Sequence, residues 1–116
     1  MTIQRFEVGK RLSEMAVHNG TVYLAGQVAN DSGQDIRGQT QQVLAAIDRL
    51  LAQAGTDKSR ILMAQIYMSD MRNFPAMNEV WDTWVVAGQT PPRATVQADL
   101  AKPEWLIEIV VTAAAG

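Results

Sequence analysis

Leu106-Ile107-Glu108-Ile109-Val110-Val111-Thr112 is the stretch on which the fold turns. Its β-branched and aliphatic residues are those of a buried strand, interrupted by one carboxylate. Side chains alternate across a strand. Ile107, Ile109 and Val111 therefore share one face, which reads as packed under helices. Leu106, Glu108, Val110 and Thr112 share the other. A charge inside such a strand needs a reason, because an unpaired buried charge is expensive. Upstream, after Gln89-Thr90-Pro91-Pro92, the run Arg93-Ala94-Thr95-Val96-Gln97-Ala98 alternates polar and small apolar residues and reads as another strand. Arg93, Thr95 and Gln97 share a face. Paired with the last strand as a hairpin, this one brings Arg93 and Glu108 together on the face away from the helices.

Two helices precede these strands. Val43, Ile47, Leu50, Leu51 and Ala54 form one stripe of 3.6-residue period, with Asp35 as N-cap and Gly55 as the stop. Phe74, Met77, Trp81, Trp84 and Val85 form a second stripe, opened by Asn73 with Pro75 in the first turn and stopped by Gly88. That spacing makes Trp81 and Trp84 core residues rather than a stacking surface for a ligand. Between the helices, Ile61 to Met68 reads as a strand with Leu62, Ala64, Ile66 and Met68 on one face. Near the start, Met15-Ala16-Val17-His18 and Thr21-Val22-Tyr23-Leu24-Ala25 flank Asn19-Gly20, a strong hairpin signal. Ile3 to Val8 reads as one more strand. His18, beside the turn, reads as solvated. The order is β-β-β-α-β-α-β-β. The expected fold is α+β, a mixed, mostly antiparallel sheet with two helices on one face, in one domain spanning residues 1–116.

Composition narrows the function classes. The chain of 116 residues has no cysteine and one histidine. Disulfides, thiolate metal sites and cysteine nucleophiles are excluded, and one histidine cannot alone build a metal site or a Ser-His-Asp triad. The serines lack a base nearby in sequence. The net charge is −2 and the sequence pI about 5.2, a poor footprint for nucleic-acid binding. No apolar run approaches membrane-spanning length and no signal peptide is evident, so a cytoplasmic location is expected. Arginine presents a planar fork that matches a carboxylate. A glutamate among apolar residues is suited to moving protons near neutral pH. Arg93 and Glu108 are thus either a minimal site for a small carboxylic acid or an ion pair that holds the hairpin or an oligomer interface. The two readings stand even on this evidence.

Several segments resemble the RidA/YjgF family, also called the RutC or L-PSP endoribonuclease family. They are Gly20-Thr21-Val22-Tyr23-Leu24-Ala25-Gly26-Gln27, Gln39-Thr40, Phe74-Pro75-Ala76-Met77-Asn78, Pro91-Pro92-Arg93-Ala94-Thr95-Val96 and Leu106-Ile107-Glu108-Ile109. The likeness runs from about residue 12 to the end. It implies a chorismate-mutase-like fold, a homotrimer with clefts between subunits, and hydrolytic deamination of enamine/imine acids such as 2-aminoacrylate to 2-keto acids and ammonia. That is a 2-iminobutanoate/2-iminopropanoate deaminase-like hydrolase with no metal or organic cofactor. By position Arg93 binds the substrate carboxylate and Glu108 handles water or a proton. Gly26, Thr95 and Asn78 line the cleft. The chain departs from the family pattern at Leu12 or Ser13, where a tyrosine is usual, and at Ala25, where a serine is usual. That departure favours the alternative of a non-catalytic trimer that binds small carboxylic acids. A ribonuclease or translation inhibitor is the third reading, against which the acidic pI argues.

Overall fold

Period-two and period-3.6 patterns divide the chain into strands and helices that bury one face each. In the computed structural model, which describes residues 2–116, they form a two-layer plate measuring 43 × 38 × 20 Å. The strands are β1 (Gln4–Val8), β2 (Ser13–His18), β3 (Thr21–Leu24), β4 (Ile61–Met68), β5 (Arg93–Gln97) and β6 (Ile107–Ala114). The helices are α1 (Ile36–Gln53) and α2 (Phe74–Trp84). Short 3-10 turns, Lys58–Arg60 and Met71–Asn73, lead into β4 and α2.

The sheet order is β1-β2-β3-β6-β4-β5. All pairings are antiparallel except β4 with β5. The expected Asn19-Gly20 turn joins β2 to β3, with φ of 52° and 78° at the two residues. Positive φ at both central positions suits the right-handed twist of a hairpin, and Asn-Gly tolerates it best. Val43, Leu44, Ile47, Leu50 and Leu51 of α1 pack with Met77, Trp81 and Trp84 of α2 over Val22, Leu24, Ile66, Ile107, Ile109 and Val111 of the sheet. Among the described residues the opposite face has no covering layer, and it exposes Tyr23, Met63 and Val96.

Two expectations about strand faces fail. Leu62 does not join Ala64, Ile66 and Met68 in the core. A register irregularity between Ile61 and Met63 breaks the alternation, and Leu62 is exposed. The hairpin of the last two strands does not form. β6 inserts between β3 and β4, and β5 lies parallel on the far side of β4. The β4–α2–β5 segment is a strand-helix-strand crossover, the connection that parallel neighbours require.

The start of β6 is fixed by a buried glutamine. Gln39 in the first turns of α1 is fully buried. Its Nε2 donates to the carbonyls of Ser32 (3.2 Å), Gln34 (3.1 Å) and Glu104 (3.0 Å), and its Oε1 accepts from the Leu106 N–H (2.9 Å). One amide thereby closes the loop before α1 and the loop before β6 onto the same helix. Beside it, Asp35 caps α1 by accepting from Gly38 N (2.9 Å).

Replacing Gln39 with leucine leaves these part-buried backbone groups without their side-chain partner. At fixed chain concentration the variant should lose about 2–4 kcal/mol in a urea titration, since each buried unpaired group costs about 1–3 kcal/mol. Wild-type stability would refute the clamp.

A second expectation concerns pH. Glu7, at φ 51°, accepts from Arg49 Nη1 (2.7 Å) and Gln53 Nε2 (2.7 Å) and ties β1 to α1. The Arg49 hydrogen bond leads the causes holding its carboxyl below the usual value. With a depressed folded pKa, the tie is present above the ordinary glutamate range and is lost as pH falls through the folded value. Amide exchange in β1 should therefore converge with that of a Glu7→Gln variant only at acid pH.

Candidate functional site

Strand parity decides where the charged residues point. Arg93 sits across from Ala64 and Thr95 from Ile66, both buried under the helices. Arg93, Thr95 and Gln97 thus occupy the helix side of β5. Glu108 sits across from Tyr67, on the uncovered side of β6. The expected meeting of Arg93 and Glu108 on one face does not occur, because it depended on the hairpin. Within one chain they lie on opposite faces with β4 between their strands, which removes the ion-pair reading for a single subunit.

Arg93 is held by neutral partners. Its Nη1 donates to Asn78 Oδ1 at 2.9 Å. Its Cζ lies over the rings of Trp81 and Phe74, 5.2 and 5.6 Å from their centroids. Phe74, Asn78 and Trp81 are at i, i+4 and i+7 on α2, so one helical stripe supplies all three contacts. Among the described residues no carboxylate forms a salt bridge with Arg93. The guanidinium keeps its charge and most of its N–H donors uncommitted, the condition for receiving an anion. Thr95 shares this side, and its buried hydroxyl has no hydrogen-bond partner among the described residues.

The other expected residues gather elsewhere. Gly26 follows β3, and a Cβ added there would clash with Glu108 Oε2 and stand 2.8 Å from its Cδ. Only glycine lets the carboxylate lie against the backbone at this point. Ala25 N–H bonds to the Glu14 carbonyl and Gln27 N–H to the Ile109 carbonyl, each at 2.9 Å. The Gly26 N–H between them donates to no protein group among the described residues. Gly26 and Glu108 line a cleft of about 710 Å³, whose wall includes Leu12, Ala25, Trp105 and, from α1, Ala45, Ala46 and Arg49. Arg93, Asn78 and Thr95 are not part of that lining. The structure therefore presents two half-sites, a cationic one on α2 and β5 and an acidic one beside Gly26.

Sequence reasoning missed Trp81 and Phe74 as partners of Arg93. Their helical spacing gave the core reading, which also holds, since Trp81 is 6% exposed. Asn78, at the same stripe spacing, was the available signal. His18 is not the solvated residue expected. It is half-buried, and its Nδ1 has no partner among the described residues. No group of three or more His, Cys, Asp or Glu among the described residues could hold a metal ion, and no helix is long and apolar enough to cross a membrane.

A two-helix layer on a six-stranded mixed sheet, with an arginine held by an amide and two aromatic rings and a glycine-backed carboxylate, defines a class of small α+β proteins. The comparisons identify it. The family model described as Endoribonuclease L-PSP matches residues 2–115. A RutC family protein of Haemophilus ducreyi is 52% identical over 112 residues, covering 97% of this chain and 96% of the relative. The RutC family protein YoaB of Escherichia coli is 45% identical over 114 residues, covering 98% and 99%. A solved YjgF family member from Neisseria meningitidis superposes with a TM-score of 0.97 at 47% identity, covering 100% of this chain and 97% of that one. The chain belongs to the RutC/YjgF (L-PSP) family and has its chorismate-mutase-like fold.

Gly26→Ala should force the Glu108 carboxylate out of its place while the strands stay paired. A crystal structure of the variant should show the Glu108 side chain rotated away and the β3–β6 register retained. An unmoved carboxylate would refute the close fit.

Proposed function

We propose that the protein hydrolyses small 2-imino acids to 2-keto acids and ammonia, in clefts that form when copies of the chain assemble. The observation that carries this reading is the uncommitted Arg93, held by Asn78 and two aromatic rings with no carboxylate to neutralise it. A second copy is needed because Arg93 and Glu108 face opposite sides of one sheet. The open sheet face, with Tyr23 52% and Val96 45% exposed, supports such an assembly. Exposed apolar faces of small domains are commonly subunit contacts, and a homotrimer is the arrangement proposed.

In this mechanism Arg93 of one copy grips the substrate carboxylate and fixes the imine carbon in the acidic half-site of a neighbouring copy. The free Gly26 N–H and the Thr95 hydroxyl supply further hydrogen bonds. Glu108 accepts a proton as water adds to the imine carbon, so a C–O bond forms and the C=N electrons pass to nitrogen. Glu108 then returns the proton to nitrogen. Glu108 next takes the proton of the new hydroxyl and passes it to the nitrogen as the C–N bond breaks, so the C=O bond of the 2-keto acid forms and ammonia leaves. The sum is imine plus water to keto acid plus ammonia. The reaction stays within general acid–base chemistry. A location in the cytoplasm and action without a cofactor complete the reading.

Binding of a keto acid without turnover is the second reading. Leu12 and Ala25 in the cleft wall favour it, because they present apolar groups beside Glu108.

A coupled assay separates the two. A pyridoxal-phosphate-dependent dehydratase supplies 2-aminoacrylate, and keto-acid release is followed. Wild type should accelerate release. Arg93→Ala should lower kcat/KM by roughly a hundredfold, the loss of about two charge-assisted hydrogen bonds. Mixing Arg93→Ala and Glu108→Gln chains, unfolded and refolded together, should restore part of the activity, because some interfaces then pair an intact Arg93 with an intact Glu108. No acceleration by folded wild type would end the deaminase reading. Failure of the mixture to recover activity would end the shared-site geometry.

A further inference from the structure

Arg93 as a carboxylate grip is the reading on which the following rests. A long arginine side chain on an outermost strand has many rotamers. To receive a planar carboxylate it must present its fork in one plane. The contacts around Arg93 hold the guanidinium between two aromatic rings and one amide oxygen and engage one arm of the fork. An aromatic face attracts the cation through its quadrupole, which leaves the in-plane N–H donors open. Among the described residues only Nη1 is engaged, by Asn78 Oδ1.

Trp81 is itself anchored. Its ring lies 5.4 Å from that of Trp84, tilted by 50°. Trp84 Nε1 donates to Asp48 Oδ2 of α1 at 3.0 Å, and Lys58 Nζ lies 5.3 Å from the Trp84 ring centroid. A continuous line of contacts runs from the exposed face of α1 through two indoles to the guanidinium.

We infer that Trp81 is a positioning residue for Arg93, and that Asp48 acts on the site by pinning Trp84 against Trp81. Core packing alone would make Trp81 matter for stability and leave the motion of Arg93 untouched. The inference requires the motion to change.

The test reads rotation about the Arg93 Nε–Cζ bond from 15N-resolved spectra of the ligand-free protein, together with the Kd for 2-oxobutanoate. Wild type should show slow rotation. Trp81→Phe should keep it slow, with Kd within about threefold of wild type, because a ring face remains. Trp81→Leu should speed the rotation and raise Kd roughly tenfold, the scale of one desolvated cation–π contact. Asp48→Ala guards against a Trp81→Leu variant that does not fold. Asp48 is exposed, and its loss should speed rotation with a Kd increase of about threefold. Wild-type rotation in both Trp81→Leu and Asp48→Ala, or in Asp48→Ala alone where Trp81→Leu is unfolded, overturns the inference. That result is distinct from failure of the deaminase reading. A wild type that turns over no imine, with rotation slow in it and faster in Trp81→Leu and Asp48→Ala, removes the reaction and leaves Trp81 as the positioning residue.

Discussion

The alternation of side chains along β4 governs the chemistry of the molecule. β4 pairs with β6 on one side and β5 on the other, and its residues set the parity of both. Ala64, Ile66 and Met68 face the helices, so their partner Arg93 does too. Tyr67 faces away, so its partner Glu108 does as well. A slip of one residue in the β4–β6 pairing would exchange the faces of β6. It would also drive Ile107 and Ile109, fully buried in this register, out into water. The hydrophobic core therefore enforces the separation of the two charged groups. Stability and site geometry are one constraint here.

The loops answer to a second constraint of the same kind. Gln39 binds the segment before α1 and the segment before β6 with one buried amide. Because β6 carries Glu108, the glutamine ties the start of the carboxylate's strand to α1. Gly26 then admits the carboxylate. α1 serves both layers, since one of its faces packs on the sheet while Ala45, Ala46 and Arg49 form a wall of the cleft.

Much of this was legible in the sequence, and the omissions have physical causes. The Asn19-Gly20 turn, the two helical stripes and the order of elements follow from local rules of φ and periodicity. The resemblance correctly pointed to the family and its fold. Strand neighbours are a different matter. A period-two pattern states which side chains share a face and is silent on which strand lies alongside. The strand-helix-strand order of residues 61–97 carried the information that β5 runs parallel to β4. A contiguous pair of C-terminal strands argued the other way. Glu108 was singled out because a charge in an apolar strand is conspicuous, and Arg93 because the polar face of its strand was read as lying beside it. Trp81 and Phe74 were not, because an aromatic that packs a core and one that also faces a cation have the same spacing. Gln39 was quoted only for its likeness to the family. Its role depends on carbonyls distant in sequence, such as that of Glu104.

The rims of the sheet also carry meaning. An outermost strand with unpaired peptide groups invites other chains to add on without limit. Here β5 is short and enters through Pro91-Pro92, and β1 bears Arg5 and Glu7, with a left-handed backbone at Glu7. Both borders are poor templates for a further strand. The broad apolar face, by contrast, lies open. A plate built this way is steered away from ribbons that lengthen at their margins.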